Sequence, residues 1–368
     1  MIASQGAATV RALLRDGRAR GASDLIMRAG LAAYYKIDGS NTESVAVPGG
    51  EDMLAFVREH AAADSRMGLF EGKRAIGFAA QHLDFGRVRV QAAIDLDGLS
   101  LTFRFIPRAI PQLASLGLPQ AVVKLGWAKG GLILITGPVG SGKSTLQAAF
   151  VQDILVPRGL DVITAEDPPE YLFRHERVRQ YGVGTELASF FEACLHELRC
   201  NAGAFILGEV RDHATAAAML LAAETGALVI ATLHTSRTVD AADRLLAFFP
   251  AHERDLARTQ LSHTLVAVIG PRLVKKKGGG RRAAVELLPA TPGVKLAIRE
   301  ANTKALEDIM DAPGESGAFA LEQNLAALVH DESGIAAEDA LEAANDRQRL
   351  ERLLERRQTR RETQEVFG

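Results

Sequence analysis

Gly137-Pro138-Val139-Gly140-Ser141-Gly142-Lys143-Ser144 spells G-x-x-x-x-G-K-S, the pattern of a phosphate-binding loop. Its flanks match that reading. Leu132-Ile-Leu-Ile-Thr136 before it is a short apolar run of buried-strand type. Thr145-Leu-Gln-Ala-Ala-Phe-Val151 after it has helix formers at helical spacing. Strand, glycine loop and helix in that order build a cradle for an anion. The glycines accept positive φ and let the backbone approach closely. The loop N–H groups point inward, and the helix N-terminus adds its dipole. Residues Gly137 to Ser144, with Thr145, are therefore the candidate nucleotide ligands. Lys143 can reach the β- and γ-phosphates, and the Ser144 hydroxyl can ligate Mg2+. The cofactors expected are ATP and Mg2+.

The chain has 368 residues, which suggests about two domains. Hydrophobic content of 47% allows a sizeable core. With 43 basic against 45 acidic residues the net charge is −2, so no basic excess points to nucleic acid, and no direct nucleic-acid partner is expected. The apolar run Ala227–Ala231 is far too short to span a bilayer. Arg11, Arg15 and Arg18 are not followed by an apolar stretch of signal-peptide type, so the expected location is cytoplasmic. Cys194 and Cys200 fit no zinc spacing and are expected as reduced thiols.

Residues 1–106 read as a small α/β domain. Ala7–Arg20 and Glu51–Ala63 have helical spacing, and Tyr34–Asp38 reads as a strand ending in an Asp38-Gly39 turn. Phe85–Gln91 and Leu99–Ile106 alternate as half-buried strands do, around an Asp97-Gly98 turn. Pro107, Pro111 and Pro119 mark a linker over 107–119. From Gln120 strands alternate with helices. Asp161–Thr164, Ala204–Leu207 and Leu228–Thr232 suit the central strands of a parallel sheet covered on both faces. This core runs to 290. The region 291–368 reads as mostly helical, with Ala336–Val366 ending in a solvated Arg-rich helix.

Each chemically suggestive cluster follows one of those strands, at the sheet edge where ligands bind. Glu166 opens Glu166-Asp-Pro-Pro-Glu170 and can polarise a water or hold a metal-bound one; the alternative is a capped turn of solvated acids. Glu209, in Gly208-Glu-Val-Arg-Asp212, stands where a P-loop enzyme carries its Walker B acid. It can meet Mg2+ through water or serve as the base. His234, in Thr232-Leu-His-Thr235, is either structural or a sensor of the γ-phosphate. Arg87, Arg89 and Arg104 alternate on the N-terminal strands, either as a solvated face or as arginine fingers delivered across a subunit boundary.

Together these pieces resemble the type II/type IV secretion ATPase superfamily, especially its PilT-type pilus-retraction branch. Gly21-Ala-Ser-Asp-Leu25 looks like the N-terminal signature of that family, Glu166–Glu170 like its aspartate box, Gly208–Asp212 like its Walker B segment, and Ala223-Glu-Thr-Gly226 with Thr232–Thr235 like its histidine box. Gly278–Arg281 and Ala297–Glu300 follow in family order. The resemblance implies a PAS-like N-terminal α/β domain, a RecA-like P-loop ATPase domain and C-terminal helices. It also implies a homo-hexamer, nucleotide between the two domains with N-terminal arginines completing the site, and an inner-membrane platform protein as partner. The protein would then be peripheral at that membrane.

The sequence departs from the family pattern in places. Ile26 replaces a histidine, Ala227 follows Gly226 where a histidine is usual, and Arg199-Cys-Asn-Ala-Gly203 lacks the acids of L-R-x-D-P-D. Pro169 stiffens the aspartate box. Because the chain lacks a long N-terminal extension and a four-cysteine insert, the retraction branch is favoured. The DotB/TraJ-type branch of type IVB secretion and conjugative transfer stays open beside it. Two other classes are an ATP-binding regulator with little hydrolysis and a RecA-like DNA motor. The intact Glu166 and Glu209 speak against the first, and the lack of a basic patch with interleaved aromatics speaks against the second.

Overall fold

The computed structural model describes residues 3–38, 40–44, 46–61, 75–106, 109–184, 186–200, 202–311, 317–331 and 334–356. Backbone contacts divide the chain into two units, 1–109 and 110–368.

The first unit holds β1 (Asp24–Arg28), β2 (Tyr34–Ile37), β3 (Ser40–Glu43), β4 (Ala75–His82), β5 (Gly86–Asp95) and β6 (Gly98–Phe105). They form one antiparallel sheet in the order β3-β2-β1-β6-β5-β4. Helices α1 (Ala3–Ala19) and α2 (Gly50–Ala61) cover one face. There Leu14, Phe56 and Val57 pack on Leu25, Met27, Val88, Val90 and Phe103. Strand alternation puts Asp24, Arg87, Arg89 and Arg104 on the other face. The turn expected at Asp97-Gly98 falls one residue earlier, because Gly98 pairs with Asp95 and leaves Leu96-Asp97 as the loop. Gly39 of the expected Asp38-Gly39 turn lies outside the described residues, as do Ala62 and Ala63.

The second unit holds β7 (Gly131–Thr136), β8 (Val162–Glu166), β9 (Val178–Gly182), β10 (Ala204–Leu207), β11 (Leu228–Leu233), β12 (Leu265–Lys275) and β13 (Arg281–Pro289). Their order is β13-β12-β7-β11-β10-β8-β9. All neighbours are parallel except the β12–β13 hairpin. The helices are α3 (Gln120–Leu125), α4 (Lys143–Phe150), α5 (Phe190–Cys200), α6 (His213–Glu224), α7 (Ala241–Leu246), α8 (Arg254–Thr264), α9 (Pro292–Arg299), α10 (Thr303–Asp311), α11 (Leu321–Val329), α12 (Ala337–Ala343) and a last helix, α13, over 347–356. Alternate residues of the central strands serve opposite faces. Ile133, Ile135, Val162, Ile206 and Ile230 pack on α4 through Leu146, Ala149 and Phe150. Leu134, Ile163, Phe205 and Val229 pack under α5, α6 and α8. This is the α/β class the apolar strands imply. Of the linker, 107–108 lie outside the described residues, while Leu113 is buried in the second unit and its N–H donates to Asp153 Oδ2.

From Ala336 the described chain forms two helices, α12 and α13. They part at 344–346, where the buried Glu322 accepts the N–H groups of Asn345 and Asp346 at 2.9 and 3.0 Å. Asp346 then caps α13 through the Arg349 N–H at 2.9 Å. Its end beyond 356 lies outside the described residues. Both cysteines are free, and burial pushes the Cys194 thiol up to about 12.

Glu197 on α5 is 1% exposed, and its Oε2 has no partner among the described residues. Burial lifts its pKa from 4.5 to about 7. A carboxylate raised in the folded state contributes stability that is complete below its unfolded pKa and is lost as pH rises toward 7. Glu197→Gln is therefore expected to raise the melting midpoint at pH 8 by a few degrees, about 1–3 kcal/mol. It should change the midpoint little near pH 4.5. Scanning calorimetry at both pH values checks this, and equal shifts would contradict it.

Candidate active site

Four strand ends meet along one edge of the sheet. β7 ends at Thr136 before the glycine loop, β8 ends on Glu166, β10 leads into Gly208-Glu209, and β11 leads into His234. The loop takes its shape from three glycines at positive φ: Gly137 at 146°, Gly140 at 80° and Gly142 at 100°. A Cβ on Gly137 would stand 2.6 Å from Ser141 Oγ, so no side chain fits there. Gly142 then starts α4, whose first turn holds Lys143, Ser144 and Thr145. The Ser141 hydroxyl is buried and has no partner among the described residues, which leaves a polar atom available to an anion in the cradle.

Lys143 is largely buried. Its Nζ donates to the carbonyls of Gly137 at 2.6 Å and Pro138 at 3.0 Å. Burial pulls its pKa below the ordinary lysine value, while Glu209 and Glu170 pull it back up. The ammonium is thus held at the loop, facing two acids of the opposite wall. Gln147, one turn along α4, is buried and donates to the carbonyls of Leu207 at 3.2 Å and Ile230 at 3.1 Å. It ties the helix to the end of β10 and the middle of β11.

Glu166 stands at a desolvated strand end, and burial raises its pKa. Three donors hold the carboxylate: Thr164 Oγ1 at 3.1 Å and Gln180 Nε2 at 2.8 Å on Oε1, and the Glu170 N–H at 3.3 Å on Oε2. The loop that follows reaches α4, where the Tyr171 hydroxyl is 2.9 Å from Thr145 Oγ1.

Glu209 is built into a chain of charges. Arg211 Nε donates to its Oε2 at 2.7 Å, and His234 Nε2 lies 2.8 Å from its Oε1. Arg211 Nη1 also donates to Asp167 Oδ2 at 3.0 Å. The chain links the aspartate-box loop, the end of β10 and the end of β11. The backbone supports it: Val210 N–H donates to the Thr232 carbonyl at 3.1 Å, and Gly208 N–H to the Ala165 carbonyl at 2.7 Å. Asp212 then caps α6 through the Thr215 N–H at 2.8 Å. The donors at this edge, the Ser144 hydroxyl and the Glu209 carboxylate, are hard oxygens of the type Mg2+ takes. Among the described residues no group of three or more His, Cys, Asp or Glu side chains is placed to hold a metal ion.

The structure thus brings together Lys143, Glu166, Glu209 and His234 within the second unit. Arg87, Arg89 and Arg104 belong to the first. Arg89 stands opposite Arg104 in the β5–β6 register, and Arg104 Nε donates to Asp24 Oδ1 at 3.0 Å. Gln180, Tyr171 and Gln147 were not among the candidates. None of them belongs to a motif of the sequence, and only the folded arrangement shows their partners.

The sequence matches the family described as Type II/IV secretion system protein over residues 119–364. An uncharacterized Escherichia coli protein, YggR, is 38% identical over 74% of this chain and 84% of its own length. The type IV pilus retraction ATPase PilT of Pseudomonas aeruginosa is 33% identical over 86% of this chain and 93% of its own. The crystal structure of the pilus retraction motor PilT with bound ADP superposes with a TM-score of 0.77 at 31% identity, covering 93% of this chain and 99% of that one. The Legionella pneumophila ATPase DotB shares the fold, with a TM-score of 0.73 at 23% identity over 89% of this chain and 93% of that one. This chain belongs to the type II/IV secretion system protein family.

Proposed function

We infer that this chain is an ATPase motor subunit that hydrolyses ATP at the Gly137–Ser144 loop to drive a type IV pilus or a related secretion machine. The observation that carries the reading is the convergence of Lys143, Glu166 and the Glu209–His234 pair at one edge of a single parallel sheet. Similarity to one relative named as a pilus retraction ATPase and another named as a type IV pilus ATPase supports the biological setting.

In this reading the loop amides and Lys143 take the phosphates, and the ammonium exchanges its two carbonyl contacts for phosphate oxygens. Glu166 orients or deprotonates the attacking water, because it is the desolvated carboxylate whose charge is held by neutral donors alone. Glu209 is fixed by Arg211 and His234, and with Ser144 it would hold the ion. Bound Mg2+ supplies Lewis-acid neutralisation of the phosphate charge. Hydrolysis by this family is electrostatic positioning for the most part, so holding the groups in place is the main catalytic task.

The remaining parts of the proposal are a homo-hexameric ring, arginines of the first unit acting on a neighbour's nucleotide, and an inner-membrane platform protein as partner. The protein would work in the cytoplasm, peripheral to that membrane. Among the described residues no helix is long and apolar enough to cross it. Specific activity should rise with protein concentration as rings form. Mixing Lys143→Ala protein, which keeps its arginines, with Arg104→Ala protein, which keeps its loop, should restore some activity. A fully active monomer by light scattering would refute the ring. Failure to complement in demonstrated mixed rings would remove Arg104 from the site.

A further inference from the structure

Gln180 stands on β9, directly beside Thr164 of β8 in the parallel register. Its amide has every hydrogen-bonding group in use. Nε2 donates to Glu166 Oε1 at 2.8 Å and to the Tyr171 carbonyl at 2.7 Å, and its Oε1 accepts the Phe173 N–H at 3.3 Å. A flipped amide would set its oxygen against two acceptors and its NH2 against a donor, so the three partners fix one orientation. The same amide therefore holds the Glu166 carboxylate and pins the loop whose Tyr171 hydroxyl meets Thr145 of α4.

We propose that Gln180 is the positioning residue of the hydrolytic site: it orients the Glu166 carboxylate, and it locks the aspartate-box loop against the first turn of the phosphate-binding helix. This rests on the reading of Glu166 as the group that orients or deprotonates water. The strand pairing supplies the mechanism. Thr164 and Gln180, as register neighbours, both donate to Oε1, so the carboxylate cannot rotate without losing two bonds. Only Oε2 is left with a single donor, the Glu170 N–H.

The charge environment makes the effect measurable. Burial raises the pKa of Glu166, and the bond from Gln180 is the strongest of the influences that lower it. Glu170, on the same loop, raises it further. Lys143 on α4 faces Glu170 and Glu209, and Arg211 at the end of β10 is taken up by Asp167 and Glu209. Arg179 of β9 falls on the opposite sheet face from Gln180 by strand alternation. Helix α5 lies on the face of Ile163 and Ala165, away from Glu166. Removing the Gln180 donor therefore moves the protonation of Glu166 to higher pH.

The test measures kcat and KM for ATP across pH with Gln180→Met, in the wild type and in a Glu166→Gln background. In the wild type, kcat should fall about 10- to 100-fold with KM changed less than about 3-fold. The acid limb of kcat should move up by about half to one pH unit. In the Glu166→Gln background the same substitution should cost less than about 2-fold. An unmoved acid limb, or equal losses in both backgrounds, would overturn the proposal and leave Gln180 a structural residue. A wild-type rate for Glu166→Gln alone would instead overturn the reading beneath it. If Gln180→Met does not fold, Gln180→Glu keeps size and polarity. A second carboxylate beside Glu166 should move the acid limb further up, and an unmoved limb again overturns the proposal.

Discussion

Lys143→Ala is expected to reduce ATP turnover at least about 10²-fold, the scale on which removal of one preorganised charge donor acts. The side chain is buried at the mouth of the loop and already donates to two loop carbonyls. Its loss removes the cation that offsets the phosphate charge, while the acids it faces, Glu170 and Glu209, remain. ATP affinity should weaken as well, since the proposed role has Lys143 meeting the phosphates in the ground state and not only in the transition state. Circular dichroism should show the fold unchanged, because the cradle is set by Gly137, Gly140 and Gly142 and not by the lysine. Turnover at the wild-type rate by a folded variant would remove the loop from the mechanism.

The second large effect separates the two acids. Glu166→Gln and Glu209→Gln should each cost roughly 10²–10⁴ in rate with ATP binding largely retained. The structure distinguishes how they fail. Glu166 is held by neutral donors alone, so a glutamine can keep part of that arrangement and the loss falls on the chemistry. Glu209 balances Arg211 on one oxygen and meets His234 on the other. A glutamine there presents an NH2 group to one of these nitrogens and leaves Arg211 with one carboxylate partner, Asp167, in place of two. Glu209→Gln should therefore lower the melting midpoint as well as the rate, and Glu166→Gln the rate alone. Rapid-quench rates with parallel thermal melts check both. Wild-type rates in both variants would sink the assignment of the acids.

Most of the site was readable in the chain because it sits on elements with strong local signals. The loop glycines are needed for positive φ whatever the surroundings, so Gly137, Gly140 and Gly142 announce the cradle directly. The four central strands are buried on both faces and read as apolar runs, and that placed Glu166, Glu209 and His234 at their ends. Other strands escaped notice for physical reasons. β12 contains Gly270 and Pro271, which read as a break. The β7 pairing recorded for β12 ends at Ile269, so Pro271 needs no N–H partner there. β9 is short and carries Arg179 and Gln180 among its five residues, so its pattern is not that of a strand. The break between α12 and α13 at Asn345-Asp346 carries no local signal, because Glu322, distant in sequence, captures the N–H groups of both. Gln180 and Gln147 show the same limit: each acts through partners that the chain places far away.

The most direct test of the account is steady-state phosphate release by purified wild-type protein with ATP and Mg2+, measured beside Lys143→Ala at protein concentrations that form rings. The wild type should show saturable turnover, at least about 10²-fold above the variant. Nucleotide binding by the wild type with phosphate release no faster than that of Lys143→Ala would contradict it and mark the chain as an ATP-binding regulator.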